Sequence, residues 1–297
     1  MKVIAPIQIT DAMYTSGPAE NDYAAYAAGT TYALGARVIR TSTHRIYESL
    51  VASNLGNTPE SSPTKWLDVG PTNKWALFDS VVGTKTSLAS PLSITIAPGA
   101  VNSIALMELV GSSVQVVMTS GGTTVYSKTV NLDASNVSDY YDYFFGPFVQ
   151  RSEVVLTDLP PYANGIITIT LTGSGTVSLG LCVVGLSTLI GNTHYGASAG
   201  INDYSLKTTD AFGNTTITKR SYARRVSASL SMLRGDFSRI HRKLSDLRAT
   251  PCVWVGADDD ADNEFGPLIA YGFFKDFSIE VAYVSHCLCS IEIEGMT

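Results

Sequence analysis

Charged side chains make up only 15 % of this 297-residue chain, where an ordinary soluble domain carries about a quarter. So sparse a charged surface is expected where partners cover much of it, and a Ser/Thr/Tyr-rich sheet face accounts for it equally. The net charge of −6 argues against general nucleic-acid binding. Cysteine is scarce too: Cys182, Cys252, Cys287 and Cys289 are too few and too unevenly spread for a secreted disulfide framework. Cys287 and Cys289 stand two apart, an offset that puts both on one strand face rather than in the knuckle that turns around zinc. The four histidines, His44, His194, His241 and His286, fall in no metal-ligating or haem spacing. No nucleophile elbow and no glycine-rich phosphate loop is present. No apolar run reaches the length of a membrane span, and the opening MKVIAPIQIT lacks the continuous apolar region of an export leader. The expectation is a non-enzymatic protein without cofactor, nucleic-acid partner or membrane insertion.

What the chain does have is short β-branched runs separated by turn residues. Between Ser93 and Leu189 the strings SITIA, VNSIALMEL, SVQVVM, TTVYSKTV, SEVVL, GIITITLT and TVSLGLCVVGL follow one another. Val114, Val116 and Met118, like Ile167, Ile169 and Leu171, alternate with polar residues, so one side-chain set faces a core and the other faces solvent. Pro98-Gly99, Gly121-Gly122, Asn164-Gly165 and Gly173-Ser174-Gly175 supply the reversals. The fold class is therefore mainly β: a central antiparallel jelly-roll β-sandwich plus a C-terminal β-rich domain containing one amphipathic helix.

Three parts are expected: an N-terminal extended segment over 1–85 packing on its neighbours, the sandwich over 86–190, and the C-terminal domain over 191–297. The helix is placed at about 237–248, where Phe237, Ile240, Leu244 and Leu247 form one stripe and Asp236 or Ser238 can cap the start. From Lys219 to Arg248 nine basic residues face only Asp236 and Asp246, a solvated face or subunit contact.

Two stretches are candidate sites. In KWLDVGPTNKWALFD, Trp66 and Trp75 flank a Gly70-Pro71 turn, with Asn73 and Asp68 placed to cap backbone N–H groups. Either the pair forms a plug over a strand crossing, or it lines a shallow sugar-stacking site. The insertion from Asp133 to Gln150 brings Tyr140, Tyr141, Tyr143, Phe144, Phe145 and Phe148 together. These rings either fasten the insertion against the N-terminal region, the expected outcome, or form a protein or ligand contact. Trp66, Trp75, Asn73, Tyr141 and Tyr143 are thus the ligand-binding candidates. Asp258, Asp260 and Asp262, with Glu264, suggest a calcium loop, but Asn263 stands where the EF-hand needs Gly and Ile269 where it needs Glu. An ordinary acidic loop is the expectation there.

YALGARVIRTSTHRIYESL leading to WLDVGPTNKWALFD, LRGDFSRIHRKLSDLRATPCVWVGA, and YGFFKDFSIEVAYVSHCLCSIEIEG together resemble tail-tip and baseplate proteins of double-stranded-DNA bacteriophages. The centre, from IAPGAVNSIALMEL to GTVSLGLCVVG, is similar to galactose-binding-like sandwich modules. The resemblance implies a virion subunit assembled in the host cytoplasm into a symmetric ring. Its partners would be copies of itself and other tail or baseplate proteins, with host surface glycans as a further contact. It assigns no residue-level sugar site. A stand-alone carbohydrate-binding or adhesion module, or a glycan-degrading enzyme with an accessory sandwich, is the alternative reading.

Overall fold

The structure, a computed structural model, describes residues 1–133, 140–145, 150–257 and 266–296. It is mainly β, as the alternation implies, and every strand-to-strand ladder in it is antiparallel. One layer of the sandwich is a five-stranded sheet in the order Thr123–Asn131, Ser113–Ser120, Ile166–Thr172, Leu92–Ile96, Tyr14–Ser16. The facing layer holds Glu153–Leu156, Ser103–Met107 and Leu181–Leu189. Ile94, Val116, Met118, Ile167 and Ile169 from the first layer meet Ile104, Leu106, Val154 and Val184 from the second in one continuous core. The predicted strand TVSLGLCVVGL is in fact two, Thr176–Leu179 and Leu181–Leu189. They part at Gly180, where a Cβ would lie 2.6 Å from that of Glu108.

The second layer does not stop at the sandwich. Strand Lys2–Pro6 pairs with Leu181–Leu189 on one side and with Cys252–Val255 on the other. It thereby extends the sheet through Ile269–Glu280, His286–Gly295 and Tyr222–Leu233. The boundaries drawn at 85/86 and 190/191 fall between strands, and this hydrogen-bonded sheet crosses both. The joint needs glycine at 185: a Cβ there would sit 1.9 Å from the carbonyl oxygen of Ala5, closer than any side chain permits.

Over the C-terminal half of the sheet lies the amphipathic helix, Phe237–Asp246. Ile240, Leu244 and Leu247 are buried against Val226, Leu230, Trp254, Cys287, Cys289 and Ile291. The stripe is the predicted one, but the cap differs. Asp236 occupies the N-cap position without a side-chain cap hydrogen bond. A 3-10 turn over Arg234–Asp236 leads into the helix, and the Asp236 carboxylate pairs instead with Arg239 at 3.0 Å.

Cys287 and Cys289 point into this core, 0 % and 1 % exposed, while His286 is exposed on the opposite face. That is the period-two consequence of their spacing. Burial pushes the thiols of Cys252 and Cys289 up to about 11 and that of Cys182 higher still.

Near the N-terminus, Arg37–Arg40, Arg45–Ser49 and Trp66–Pro71 form a three-stranded meander. Its small core consists of Val38, Tyr47 and Trp66 with Tyr26 and Tyr32. The alanines at 24–28, with their capacity for a helical turn, make none. Ala25 bridges Ile39 instead, which places Tyr26 over the meander core.

Candidate functional site

Trp66 and Trp75 do not cover one crossing. Trp66 opens a strand, is 2 % exposed, meets Tyr26 and Tyr32 edge-on and donates its indole N–H to the carbonyl of Asn57 at 2.8 Å. It belongs to the meander core and has no face left for a sugar ring. Trp75, nine residues later at the start of a 3-10 turn, belongs to the sandwich core with Tyr14 and Leu77. Gly70 and Pro71, expected to form a turn between the rings, instead continue the strand Trp66–Pro71 opposite Ile46 and Arg45. The chain turns only after them, where the Trp75 N–H donates to the Thr72 carbonyl, and the two rings enter different cores.

Asn73 is held as firmly. Its Oδ1 accepts the Ser87 N–H at 2.8 Å and its Nδ2 donates to the Ser87 carbonyl at 3.0 Å, so its amide mimics one rung of a β-ladder. Its own N–H donates to the Asp22 carboxylate. Asp68, expected to cap backbone, instead pairs with Arg45 at 2.5 Å.

The aromatic insertion shows a different outcome from the expected one. Tyr140–Phe145 is a short helix in which Tyr140, Tyr141, Phe144 and Phe145 are each at least two-thirds exposed. These rings are not fastened into the N-terminal region. The side chain of Tyr143, and residues Asp258, Asp260, Asp262 and Glu264, lie outside the described part of the structure. Among the described residues no group of three or more His, Cys, Asp or Glu side chains is arranged to hold a metal ion. Among them, too, no helix is long and apolar enough to cross a membrane.

What Trp75 lines is a cavity of about 660 Å³ between the N-terminal strand, the meander turn and the C-terminal sheet. Its walls come from residues far apart in sequence: Gln8 to Asp11, Ser42 to Arg45, Trp75, Phe78 to Ser80, Cys182, and Tyr271. His44 stands at its centre of organisation. One ring face stacks on Trp75, with centroids 4.2 Å apart. Nε2 lies 2.8 Å from Asp11 and Nδ1 3.0 Å from Glu20. Glu20 also accepts the Thr72 hydroxyl at 2.9 Å, which ties the turn carrying Trp75 to the segment carrying Glu20.

Two residues on the wall, His44 and Ser80, adopt φ of +56° and +63°. That region costs a non-glycine residue about 1 kcal/mol or more, and such strain persists only where the surroundings hold it. Asp79, next to Ser80, accepts the Val81 N–H at 2.9 Å and the Thr84 hydroxyl at 2.9 Å. Burial nevertheless pushes its carboxyl above the usual range, outweighing those hydrogen bonds. The indole N–H of Trp75 is buried and has no hydrogen-bond partner among the described residues.

Of the ligand-binding candidates named from the sequence, Trp75 alone among the described residues lines this cavity. His44, Asp11, Asp79 and Ser80 carried no motif, since their spacing has meaning only once three chain segments converge. The scarcity of histidine was the one available signal.

A second feature extends the strands Ser198–Asp203 and Tyr222–Leu233 beyond their paired residues Asp203 and Tyr222. Strands Leu206–Thr209 and Thr215–Thr218 form a hairpin closed by the Phe212-Gly213-Asn214 turn. The Asp210 carboxylate accepts the N–H groups of Phe212 and Asn214 there. Every residue from 206 to 222 is exposed. No protein-family model matches this chain, and no curated protein matches it.

Proposed function

We propose that this chain is a non-enzymatic structural subunit of a bacteriophage tail tip or baseplate, which assembles with copies of itself into a symmetric ring and joins neighbouring tail proteins. The projecting hairpin carries the reading. A two-stranded ribbon without a layer beneath it is marginal in water, yet this one displays Phe212 at 91 % and Ile217 at 70 % exposure. Contact with a neighbouring subunit would remove these side chains from water.

Charge favours a second copy as that neighbour. The stretch 206–222 holds Lys207, Lys219 and Arg220 against Asp210 alone, on a chain of net charge −6, so the basic arm of one copy suits the acidic body of the next. The exposed rings of Tyr140, Tyr141, Phe144 and Phe145 offer a further contact, for tail partners or for host-surface glycans. The three strings that resemble tail-tip proteins supply the biological setting.

Light scattering on the full chain tests this, beside a variant in which residues 208–216 are replaced by an Asn-Gly turn. The wild type is expected at a closed multiple of the 31.7 kDa chain mass and the shortened variant as a monomer. A wild type that stays monomeric at tens of micromolar, with and without tail proteins, refutes the reading. So does a shortened variant that assembles equally well.

A further inference from the structure

Ring assembly requires a surface on the next copy to receive the hairpin ribbon, and the far end of the strand from which the ribbon extends offers one. Beyond Leu233, the turn between Ile269–Glu280 and His286–Gly295 reads Val281-Ala282-Tyr283-Val284-Ser285. It holds none of the Gly, Pro, Asn or Asp on which exposed turns ordinarily rely. Leu233 pairs with His286, and the Arg234 N–H donates to the Ser285 carbonyl at 3.0 Å, so strand end and turn stand side by side. Leu233, Val281, Tyr283 and Val284 are 59 %, 54 %, 63 % and 88 % exposed. An apolar group of this kind, gathered at one end of a sheet, marks a contact surface.

Acidic residues border it. Asp276 and Glu280 alternate with Phe277 and Ile279, which pack into the helix-covered core, so they stand exposed on the opposite face. The neighbouring cations are engaged: Arg234 donates to the Val284 carbonyl at 3.5 Å, and Lys275 pairs with Glu292 at 3.9 Å.

The ribbon has the matching chemistry, with Phe212 and Ile217 exposed and Lys207, Lys219 and Arg220 set against Asp210. It cannot meet the turn of its own chain. Ribbon and turn lie at opposite ends of the twelve-residue strand Tyr222–Leu233, roughly 35 Å apart by the rise of an extended strand. The ribbon also runs outward from that strand, with the Tyr204 N–H donating to the Ser221 carbonyl at 3.3 Å.

Building on the assembly reading, we propose that the ribbon of one copy docks head to tail on Leu233 and the 281–285 turn of the next, its cations meeting Asp276 and Glu280. Phe212 and Ile217 would then leave water together with Tyr283 and Val284. Each copy offers one ribbon and one seat at opposite ends, so the contact is heterologous and generates a ring when the rotation between neighbours closes. A two-fold pairing of ribbon on ribbon would leave the turn bare.

Sedimentation velocity on two variants tests this beside the wild type. One is the ribbon-shortened chain, which keeps the turn. The other is Tyr283→Lys/Val284→Lys, which keeps the ribbon and sets two cations where the ribbon's cations would land. Both substituted side chains are exposed, and a circular-dichroism spectrum checks that the fold is native. Like-charge contact should weaken self-association of the lysine variant by about tenfold or more, and each variant alone should be monomeric. Mixed in equal amounts at about 100 micromolar, where a lone contact forms without the gain from ring closure, they should give a complex of two chains and nothing larger. Leu55→Lys, exposed on a loop of the N-terminal meander, should assemble like the wild type. Should the lysine variant fail to fold, Glu280→Lys reads the same seat from an exposed position and should also weaken assembly.

A folded turn variant that assembles as well as the wild type overturns the proposal and leaves the assembly reading standing. So does a mixture of the two variants that stays monomeric while the wild type assembles. A wild type that stays monomeric removes both.

Discussion

Truncating Trp75 to alanine weighs packing against an unmet hydrogen bond within one side chain. The ring is 9 % exposed and touches Tyr14 edge-on at 5.2 Å, Phe78 at 6.1 Å and His44 in a stack at 4.2 Å. Deleting a buried aromatic of this kind costs about 3–5 kcal/mol through lost transfer energy and the void left behind. Against this stands the buried indole N–H without a partner, whose removal returns about 1–3 kcal/mol of desolvation. The net expectation for Trp75→Ala is a loss of about 0–4 kcal/mol, centred near 2. Trp75→Phe keeps most of the ring, discards the orphan donor and should come out close to neutral.

Trp66 provides the internal comparison, because its N–H is satisfied by Asn57 at 2.8 Å. Trp66→Phe strands that carbonyl and should cost about 1–3 kcal/mol, more than Trp75→Phe. Denaturant unfolding followed by circular dichroism gives all three midpoints. A raised midpoint for Trp75→Ala, or a larger loss for Trp75→Phe than for Trp66→Phe, refutes the reasoning about where each ring sits and what its nitrogen meets.

Further expectations concern the joint of the sheet and its buried thiols. Gly185→Ala places a Cβ against the Ala5 carbonyl at 1.9 Å and should cost about 1–3 kcal/mol or more by overpacking. Increased amide hydrogen exchange confined to Lys2–Pro6 and its two partner strands would register it, and unchanged protection there would count against the close approach. Arg224 pairs with Glu153 and donates to the Ile269 carbonyl at 2.9 Å, linking the sandwich edge to the C-terminal strands. Burial pushes the Glu153 carboxyl up, against the opposing pull of the Arg224 guanidinium and, less strongly, of Arg151. Arg224→Ala should therefore destabilise by about 1–2 kcal/mol, a value reduced for the partial exposure of the arginine, and a second substitution, Glu153→Gln, should recover part of it. A double variant no more stable than Arg224→Ala would contradict this.

The thiols of Cys252 and Cys289 are raised from 9.0 to about 11. Above pH 9 the unfolded chain loses these protons while the folded chain keeps them, so their contribution is complete below pH 9 and is lost as pH rises through 11. A thiol reagent at pH 8 should find no reactive cysteine in the native protein and four after unfolding. Prompt native labelling, or stability flat between pH 9 and 11, would refute the burial of these groups.

Local periodicity is what the sequence alone determined here. Strand alternation at Val114 to Met118 and Ile167 to Leu171, the stripe Ile240–Leu244–Leu247, and the shared face of Cys287 and Cys289 follow from repeat distances of two and about 3.6 residues. No distant partner is needed for these to appear. The tertiary structure decided everything that required segments far apart to meet. That the first strand would join Leu181–Leu189 to Cys252–Val255 in one sheet has no local signal, because a strand's hydrophobic pattern names a face and not a neighbour. Trp66 and Trp75 looked like a pair in sequence, yet Trp66 opens a strand that runs through Pro71 in the meander, and the turn after it delivers Trp75 to the sandwich core. His44 took its place between Asp11, Glu20 and Trp75 only through the convergence of three chain segments. A site of that kind is a property of packing, and spacing along the chain does not encode it.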